Sequence, residues 1–222
     1  MRAAYREHLN AFANDLISMC DMSEEVMRKA HHALVGASLQ SAEDALSLDE
    51  DIDRLVEVCE ARAVELLALE GPVARDLRQV VSSIYIVEDF RRMAALAMHI
   101  ANAARRRHPD YACPELVRGH FSRMGELDLH MVAKIRDLLV DPDADSAVSL
   151  NEDDDAVDDI HEHIMVSLTQ KEWPFSTREA VDVALIARYY ERYADHAVNV
   201  SSRVIYLTTG LVREDYLAQR SR

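Results

Sequence analysis

The chain has 222 residues, of which 40 are acidic and 25 are Lys or Arg, so its formal charge is −15 at pH 7. Such a charge repels phosphate backbones and anionic lipids, and we therefore expect neither nucleic-acid binding nor direct membrane insertion. Only five Gly and five Pro occur, among many Ala, Leu, Glu and Arg, and this composition favours helix throughout the chain.

The cysteines and the N-terminus indicate the compartment. Cys20, Cys59 and Cys113 are scattered and lack metal-ligand spacing, which fits a reducing environment better than a disulfide framework. Residues 1–8 contain no apolar signal core, and no segment reaches the roughly 18 apolar residues that a membrane span needs. We therefore predict a cytoplasmic protein.

Hydrophobic periodicity and breaking residues divide the chain into six long helices. Gly36 ends the first helix, Ser41 with Asp44 begins the second, and Gly71-Pro72 breaks it. The first five predicted helices cover residues 3–34, 41–69, 73–107, 115–140 and 144–170. The sixth begins at a capping box formed by residues 176–179 and ends at residue 210.

The two halves of the chain resemble each other. Subtracting 100 from the residue number places Val181, Ile186, Arg192, Ala194 and Ala197 over identical residues. A second offset, of 105, aligns the acidic stretch that starts at residue 154 with the one that starts at residue 49. Such similarity indicates an internal duplication. We predict an all-α fold of two tandem antiparallel three-helix bundles, with repeats at 1–110 and 111–212 and a frayed tail at 213–222.

The sixth helix carries a narrow polar stripe on an otherwise apolar surface. Glu191 and Asp195 are four residues apart and share a face, and Arg188, Asn199 and Ser202 fall on the same stripe. Oxygen atoms aligned on a packed helix are typical of sites for hard cations. The stripe is therefore a candidate metal-binding surface.

A second acidic stripe lies at the start of the fifth helix, where Asp154 and Asp158 share a face. Acids here also suit the positive end of the helix dipole, so a solvated, well-capped helix start is the competing interpretation. If the two helices pack antiparallel, Asp154, Asp158, Glu191 and Asp195 face one another and are our predicted metal ligands. Four carboxylates suit a divalent or trivalent ion such as Fe, Mn or Mg, and Zn less well. His196 we assign to the core.

The sequence lacks familiar catalytic arrangements. Ferritin-like di-iron proteins carry His three residues after Glu, and that position after Glu191 is Ala194. No Gly-rich phosphate loop, Cys-x-x-Cys pair or Ser-His-Asp order is present. We therefore expect a protein that is not an enzyme, with no catalytic residues and with a metal that is structural or sensory.

Three features together resemble the PhoU family: the duplicated helical halves, the run PVARDLR at residues 72–78, and the run ERYADHAVN at residues 191–199. The resemblance covers residues 3–212, and the second run is its most specific part. The form that this run takes here is similar to that of actinobacterial members of the family. Members of the family are accessory regulators of phosphate transport, and the resemblance implies two three-helix bundles in a homodimer.

The same resemblance implies partners and a metal. The implied partners are the ATPase subunit of the phosphate ABC transporter and a phosphate-responsive sensor histidine kinase. Some members of the family carry iron or other metals on a Glu/Asp-x-x-x-Asp motif in each repeat. In this chain that motif maps onto Glu191 and Asp195, with Asp154 and Asp158 contributed by the preceding helix.

The first repeat departs from this pattern. Arg91 and Ala95 stand where the motif has acids, although Asp49 and Asp53 remain on the preceding helix. An arginine can supply a fixed positive charge to two neighbouring acids. We hypothesise that Arg91 replaces the cation in the first repeat and leaves the second repeat as the only metal site.

These observations lead to one functional hypothesis and two alternatives. The first is a cytoplasmic regulator that negatively modulates phosphate transport and the phosphate-starvation two-component response by binding the transporter ATPase and the sensor kinase. The second is a carboxylate-bridged metal enzyme or metal store in a ferritin-like helical shell. The third is a purely structural adaptor without metal.

Overall fold

The computed structural model describes residues 2–169 and 173–220, and over these residues the protein is all-α, as predicted, with nine helices and no strand. The helices are α1 (Arg2–Gly36), α2 (Leu39–Leu46), α3 (Asp49–Glu70), α4 (Ala74–Arg107), α5 (Glu115–Val140), α6 (Ala144–Val148), α7 (Leu150–Thr169), α8 (Thr177–Thr209) and α9 (Arg213–Arg220). Within those described residues no helix is both long and apolar enough to cross a membrane.

The signals for the long helices agree with the structure. The first, third and fourth predicted helices correspond to α1, α4 and α5 to within two residues at each end. The last predicted helix is α8: Ser176 and Glu179 form the capping box, and Gly210 ends the helix with a left-handed backbone, φ 78°. Residue 170, the predicted end of the fifth helix, lies outside the described residues.

The second and fifth predicted helices are each wrong in one respect, because each divides into a short and a long helix. The breaks come at Ser47 and Ser149, whose hydroxyls donate to the Asp44 and Ser146 carbonyl oxygens at 3.0 and 2.8 Å. Serine side chains that bond locally to the backbone compete with helix continuation. The described chain therefore has two helix breaks that the hydrophobic pattern does not indicate.

The start of each short helix repeats at the offset of 105. Ser38 caps α2 by accepting a hydrogen bond from the Ser41 backbone N–H at 3.2 Å, so Ser41 is not the cap. Asp143 caps α6 in the same way, accepting from the Ser146 N–H at 2.7 Å. Equivalent residues thus make equivalent caps.

Residues 213–220 of the predicted frayed tail form α9, and residues 221–222 lie outside the described residues. This helix is tied to α6: the Tyr216 hydroxyl donates to Asp145 at 2.5 Å, and Arg220 pairs with the same carboxylate at 3.0 Å. The Arg220 and Asp145 side chains are both about half exposed, so we assign this ion pair little stabilisation.

Two sets of three long helices pack around one continuous apolar core. Helices α1, α3 and α4 contact one another, as do α5, α7 and α8, and the two sets join where α1 meets α5 and α4 meets α8. Helices α4 and α8 run antiparallel: Arg203 lies over the Tyr85 ring at one end, and Arg107 pairs with Asp182 at the other. Equivalent helices of the two repeats therefore meet head to tail.

A close contact between α1 and α5 accompanies a part-buried hydrogen bond from α1 to α8. The His31 ring lies so near α5 that a Cβ on Gly125 would be 2.1 Å from its Nδ1 atom. That Nδ1 atom is 2.9 Å from the hydroxyl of Tyr190, a fully buried side chain of α8. Gly125 is thus needed for space, and it lets a histidine of the first repeat reach the second.

Candidate functional site

The four predicted ligands lie together on α7 and α8. Burial raises the pKa of Asp154 to about 7, and the charges of Asp158, Asp195 and Glu191 contribute to the rise. Carboxylates affect one another in this way only when they are close in space. Asp154 and Asp158 of α7 therefore lie within electrostatic reach of Glu191 and Asp195 of α8.

Two further acids of the group show the same effect. Burial and then the charge of Asp195 raise the pKa of Asp158 and the pKa of Glu191 above their ordinary values. Glu191 is buried, Asp154 is half-buried, and Asp158 and Asp195 are exposed. The group is therefore open to solvent on one side and closed on the other.

Arg188 partly neutralises this group. Its guanidinium donates to Glu191 Oε1, and its charge opposes the rise in the pKa of Glu191 and of Asp158. The ordinary alternative to a metal is thus present, because an internal cation already stands one turn away on α8. His161 lies on the same side of α7, and its charge when protonated would also oppose the rise at Asp158.

Part of the group lacks any hydrogen-bond partner. In residues 2–169 and 173–220, the buried Asp154 Oδ1 and Glu191 Oε2 atoms have none. Buried carboxylate oxygens without partners are costly, and a bound ion is one of the ordinary reasons for them. Their chemistry therefore fits a hard cation with oxygen ligands.

The side chains do not form a ready cage. Over the described part of the chain, no set of three or more His, Cys, Asp or Glu side chains is arranged to hold a metal ion. A cation would require rotation of the carboxylates, because Arg188 occupies Glu191 Oε1 and leaves only Oε2 of that residue without a partner. That these residues bind a metal stays a prediction.

Sequence reasoning missed a fifth acid, Asp128 on α5. Its side chain is 0% exposed, and neither carboxyl oxygen has a partner among the described residues. Burial and then the charge of Asp154 raise the pKa of Asp128 well above its usual range. A usable signal existed in the sequence, because Asp128 interrupts the apolar stripe of Phe121, Met124 and Ile135.

The first repeat arranges its charges differently from our hypothesis. Arg91 binds Glu88 with two hydrogen bonds, from Nε at 2.8 Å and from an Nη atom at 2.9 Å. Asp53 adds only a weaker electrostatic contribution to the raised pKa of Arg91. The direct hydrogen-bond partner of Arg91 is therefore Glu88, although its charge still acts on Asp53. That Arg91 replaces a cation in the first repeat stays a prediction.

The Glu88–Arg91 and Arg188–Glu191 ion pairs have their acid and arginine in opposite order along the chain. At the offset of 100, Glu88 aligns with Arg188 and Arg91 aligns with Glu191. Each repeat thus has an acid and an arginine three residues apart on its third long helix, in opposite order. Only the second repeat adds another acid, Asp195, where the first has Ala95.

His196 connects the repeats and does not join the acidic group. Its Nδ1 atom is 2.9 Å from Asp89 Oδ1 on α4, and both side chains are largely buried. On the other side of the same contact, the His99 ring stacks on Tyr189 with centroids 5.0 Å apart. The predicted placement of His196 away from the ligands agrees with this geometry.

Comparison with known proteins gives the family. The model of the PhoU domain matches twice, over residues 16–104 and 121–204. The chain is 44% identical over 210 residues to the Mycobacterium tuberculosis protein named phosphate-specific transport system accessory protein PhoU homolog 2, covering 95% of this chain and 99% of that protein. It is 40% identical to the Mycobacterium leprae PhoU homolog 1 over the full length of both.

Solved structures agree with the fold. The crystal structure of PhoU from Pseudomonas aeruginosa matches with a TM-score of 0.85 and 25% identity, covering 93% of this chain and all of that one. The phosphate transport system regulatory protein PhoU from Streptococcus pneumoniae matches with a TM-score of 0.83 over 94% of this chain and 98% of that one, at 24% identity. With the family model matched in both halves of the duplicated helical fold, the chain belongs to the PhoU family.

Proposed function

We propose that this protein is a regulator of phosphate homeostasis that negatively modulates phosphate ABC transport and the phosphate-starvation two-component response. The observation that carries the proposal is the likeness, at 44% identity over 95% of the chain, to a mycobacterial protein named as an accessory of the phosphate-specific transport system. Likeness along the whole chain supports a shared role better than likeness of a fold alone.

The proposed partners are the ATPase subunit of the transporter and a phosphate-responsive sensor histidine kinase, met in the cytoplasm by a homodimer. A net charge of −15 favours basic surfaces on those partners. The protein would act by binding one conformation of each partner more tightly than the other, since equal affinity would shift nothing. This role needs no catalytic residue.

A metal on the second repeat is part of the proposal. Asp154, Asp158, Glu191 and Asp195 would hold a divalent or trivalent ion (Fe, Mn, Mg or Zn), which supplies positive charge to a group of acids that repel one another. Glu191 can serve through its unpartnered Oε2 atom, or through Oε1 if that atom gives up its bond to Arg188. The half-exposed Arg188 side chain would then be free for an acidic group on a partner.

The alternative of a ferritin-like enzyme or metal store is less well supported. The relatives reported above carry the name of an accessory protein and not of an enzyme. The geometry also favours the regulator, because an arginine bonded to one of the four acids hinders the open coordination position that a catalytic metal keeps.

A co-purification experiment tests the regulator. The full-length protein is used to capture the transporter ATPase and the sensor kinase from separate preparations, with and without inorganic phosphate. We expect binding of both, and a loss of binding in the Glu191→Ala/Asp195→Ala variant. A matched control, Glu152→Ala/Glu162→Ala, removes two exposed acids from α7 and should bind as the wild type does.

Two results would contradict the proposal. Failure to capture either partner at any phosphate concentration would remove the regulator role. Elemental analysis of protein purified without a metal-affinity tag tests the metal separately, and binding of partners by a metal-free wild type would leave the regulator standing without its cation.

A further inference from the structure

A cavity between α4 and α8 is not used by the acidic group described above. Its volume is about 480 Å³, which is within the range of small-molecule sites, and the first residues of α9 form part of its wall. Asn199 and Ser202, the end of the polar stripe on α8, line it together with Arg203, and α9 contributes Arg213. The cavity therefore brings polar side chains of two helices around one space.

Several hydrogen-bond donors of this cavity are free. Within residues 2–169 and 173–220, the side chains of Asn199, Ser202 and Arg213 form no hydrogen bond or ion pair. The Nε atom of Arg213 is buried and has no acceptor in that part of the chain. A buried donor without an acceptor is costly. A ligand rich in acceptor oxygens would satisfy these groups.

The second arginine of the cavity is held in place by an aromatic ring. The guanidinium carbon of Arg203 lies 4.1 Å from the centroid of the Tyr85 ring on α4. Stacking fixes the plane of a guanidinium and leaves the N–H groups at its edge free for paired hydrogen bonds. Two arginines in one cavity are typical of phosphate recognition.

The acids that also line the cavity are mostly occupied by other cations. Glu88 accepts two hydrogen bonds from Arg91, and Asp89 Oδ1 lies 2.9 Å from the His196 ring. Glu214 is exposed on α9. The charges of the two cavity arginines are thus the ones that remain available to a ligand.

The other end of the α4–α8 contact shows how the same groove looks without these features. At the offset of 100, Asn199 and Arg203 align with His99 and Ala103. There the His99 ring stacks on Tyr189, with centroids 5.0 Å apart, and the arginine is absent. Residues 108–114, which follow α4, form no helix that could take the place of α9. The donor-lined cavity is therefore a feature of one end of the helix pair.

We propose that this cavity binds the phosphate group of a small ligand. Arg203 and Arg213 supply positive charge, and Asn199 and Ser202 donate further hydrogen bonds to the phosphate oxygens. The volume leaves room for more than inorganic phosphate, and a nucleotide would fill it better. The proposal goes beyond the regulator role and stands on the lining of the cavity alone.

Calorimetric titration of the full-length protein tests the proposal. Inorganic phosphate, pyrophosphate and ATP are the three probes, in about 0.15 M NaCl to screen exposed charges and with a chelator to remove metal ions. We expect Arg213→Gln to weaken binding about tenfold or more, because a charge-assisted hydrogen bond is lost. Arg220→Gln is the matched control, since this arginine of α9 pairs with Asp145 outside the cavity, and it should change affinity less than about twofold.

Thermal unfolding separates a binding role from a structural one. Without ligand, Arg213→Gln should unfold at the wild-type temperature, because its side chain has no partner in the described structure to lose. The tightest probe should raise the unfolding temperature of the wild type by mass action and that of the variant less. Arg203→Gln is the second variant, and it should also weaken binding.

The three probes also distinguish the sources of the phosphate group. Tighter binding of ATP would identify a nucleotide site and tighter binding of inorganic phosphate a site for the free ion, and either supports the proposal if Arg213→Gln weakens it. Absence of binding by the wild type, or wild-type affinity in both arginine variants, would overturn the site. The regulator role would be unaffected, because capture of the partners tests it separately.

Discussion

The two repeats share a fold but not a charge arrangement. In the first repeat, Arg91 of α4 binds Glu88, and Ala95 follows one turn later. In the second, Arg188 of α8 binds Glu191, and Asp195 follows. Each repeat thus keeps a local pair of an acid and an arginine on its third long helix, with Arg92 as a further partner of Glu88 in the first, but only the second has an acid at the position of Ala95 and Asp195. Duplication preserved the scaffold, and the side chains on equivalent faces diverged in charge.

The difference teaches where a duplicated protein can specialise. The caps of α2 and α6 and the breaks after them are the same in both repeats, because they determine how each bundle folds. The polar faces of α4 and α8 are less constrained, since most of their carboxylates touch solvent. The following substitutions exchange residues between the repeats or remove one member of an equivalent pair.

The largest effect is expected at the contact between α1 and α5. Gly125→Cys installs the residue found at the equivalent position, Cys20, and its Cβ would overlap the His31 ring. Overpacking and loss of the His31–Tyr190 hydrogen bond should lower the free energy of unfolding by about 3 kcal/mol. Urea denaturation measures it. Gly119→Ala, on the same helix with open space around it over the described structure, should be neutral or stabilising.

Exchange of the charge pattern should create a second site. Glu88→Arg/Arg91→Glu/Ala95→Asp gives α4 the order found on α8, opposite the acids Asp49 and Asp53. We expect the number of cations bound per chain to rise from one to two by calorimetry and elemental analysis. Equal binding by both repeats of the wild type would show that Arg91 does not exclude a cation.

Stability should depend on pH through Asp154. Its pKa in the folded protein is about 7 against an ordinary 3.8, so the folded state holds the proton more tightly. Lowering the pH from 7 toward 4 should therefore raise the free energy of unfolding, and raising it should do the opposite. After allowance for solvent screening, we expect about 1 kcal/mol.

Asp154→Asn should remove this part of the pH dependence, whereas Asp49→Asn at the equivalent position serves as the control. Chemical denaturation at several pH values between 5 and 8 measures both variants against the wild type. An unchanged slope in Asp154→Asn would mean that Asp154 does not carry the raised pKa.

The smallest effect is expected at the two arginines. Arg188→Gln removes the cation that competes for Glu191, so metal affinity should rise about threefold, the scale of an exposed ion pair. Arg91→Gln in the first repeat should leave the affinity of the second repeat unchanged. Weaker binding in Arg188→Gln would mean that Arg188 supports the site and does not compete for it.

Much of the fold could be predicted because its signals are local. The capping box at Ser176 and the glycines at 71 and 210 mark real helix ends. The helix breaks at Ser47 and Ser149 were not predicted, because a serine hydroxyl that bonds to a backbone carbonyl of its own helix does not change the hydrophobic pattern. Periodicity also shows which face is buried but not which helix covers it, so the antiparallel contact of α4 and α8 could not be foreseen.

The candidate site was only partly predictable for a related reason. Four acids on two stripes are visible at helical spacing, and the structure places them within electrostatic reach of one another, but among the described residues it does not arrange them to hold a metal. Asp128 looks like an isolated acid in the sequence, and only the packing of α5 against α7 brings it within electrostatic reach of Asp154. The pairing of Arg91 with Glu88 was missed because we favoured a partner on another helix over one three residues away.

Because α4 and α8 pack antiparallel, each end of this helix pair is formed by both repeats. Near the N-terminus of α4, the guanidinium of Arg78 packs on Gly210, the residue that ends α8. At the C-terminus of α4, Arg107 forms an ion pair with Asp182 in the first turns of α8. A protein that binds at either end of the α4–α8 pair would therefore contact the first turns of one helix and the last turns of the other. It would thus contact both repeats.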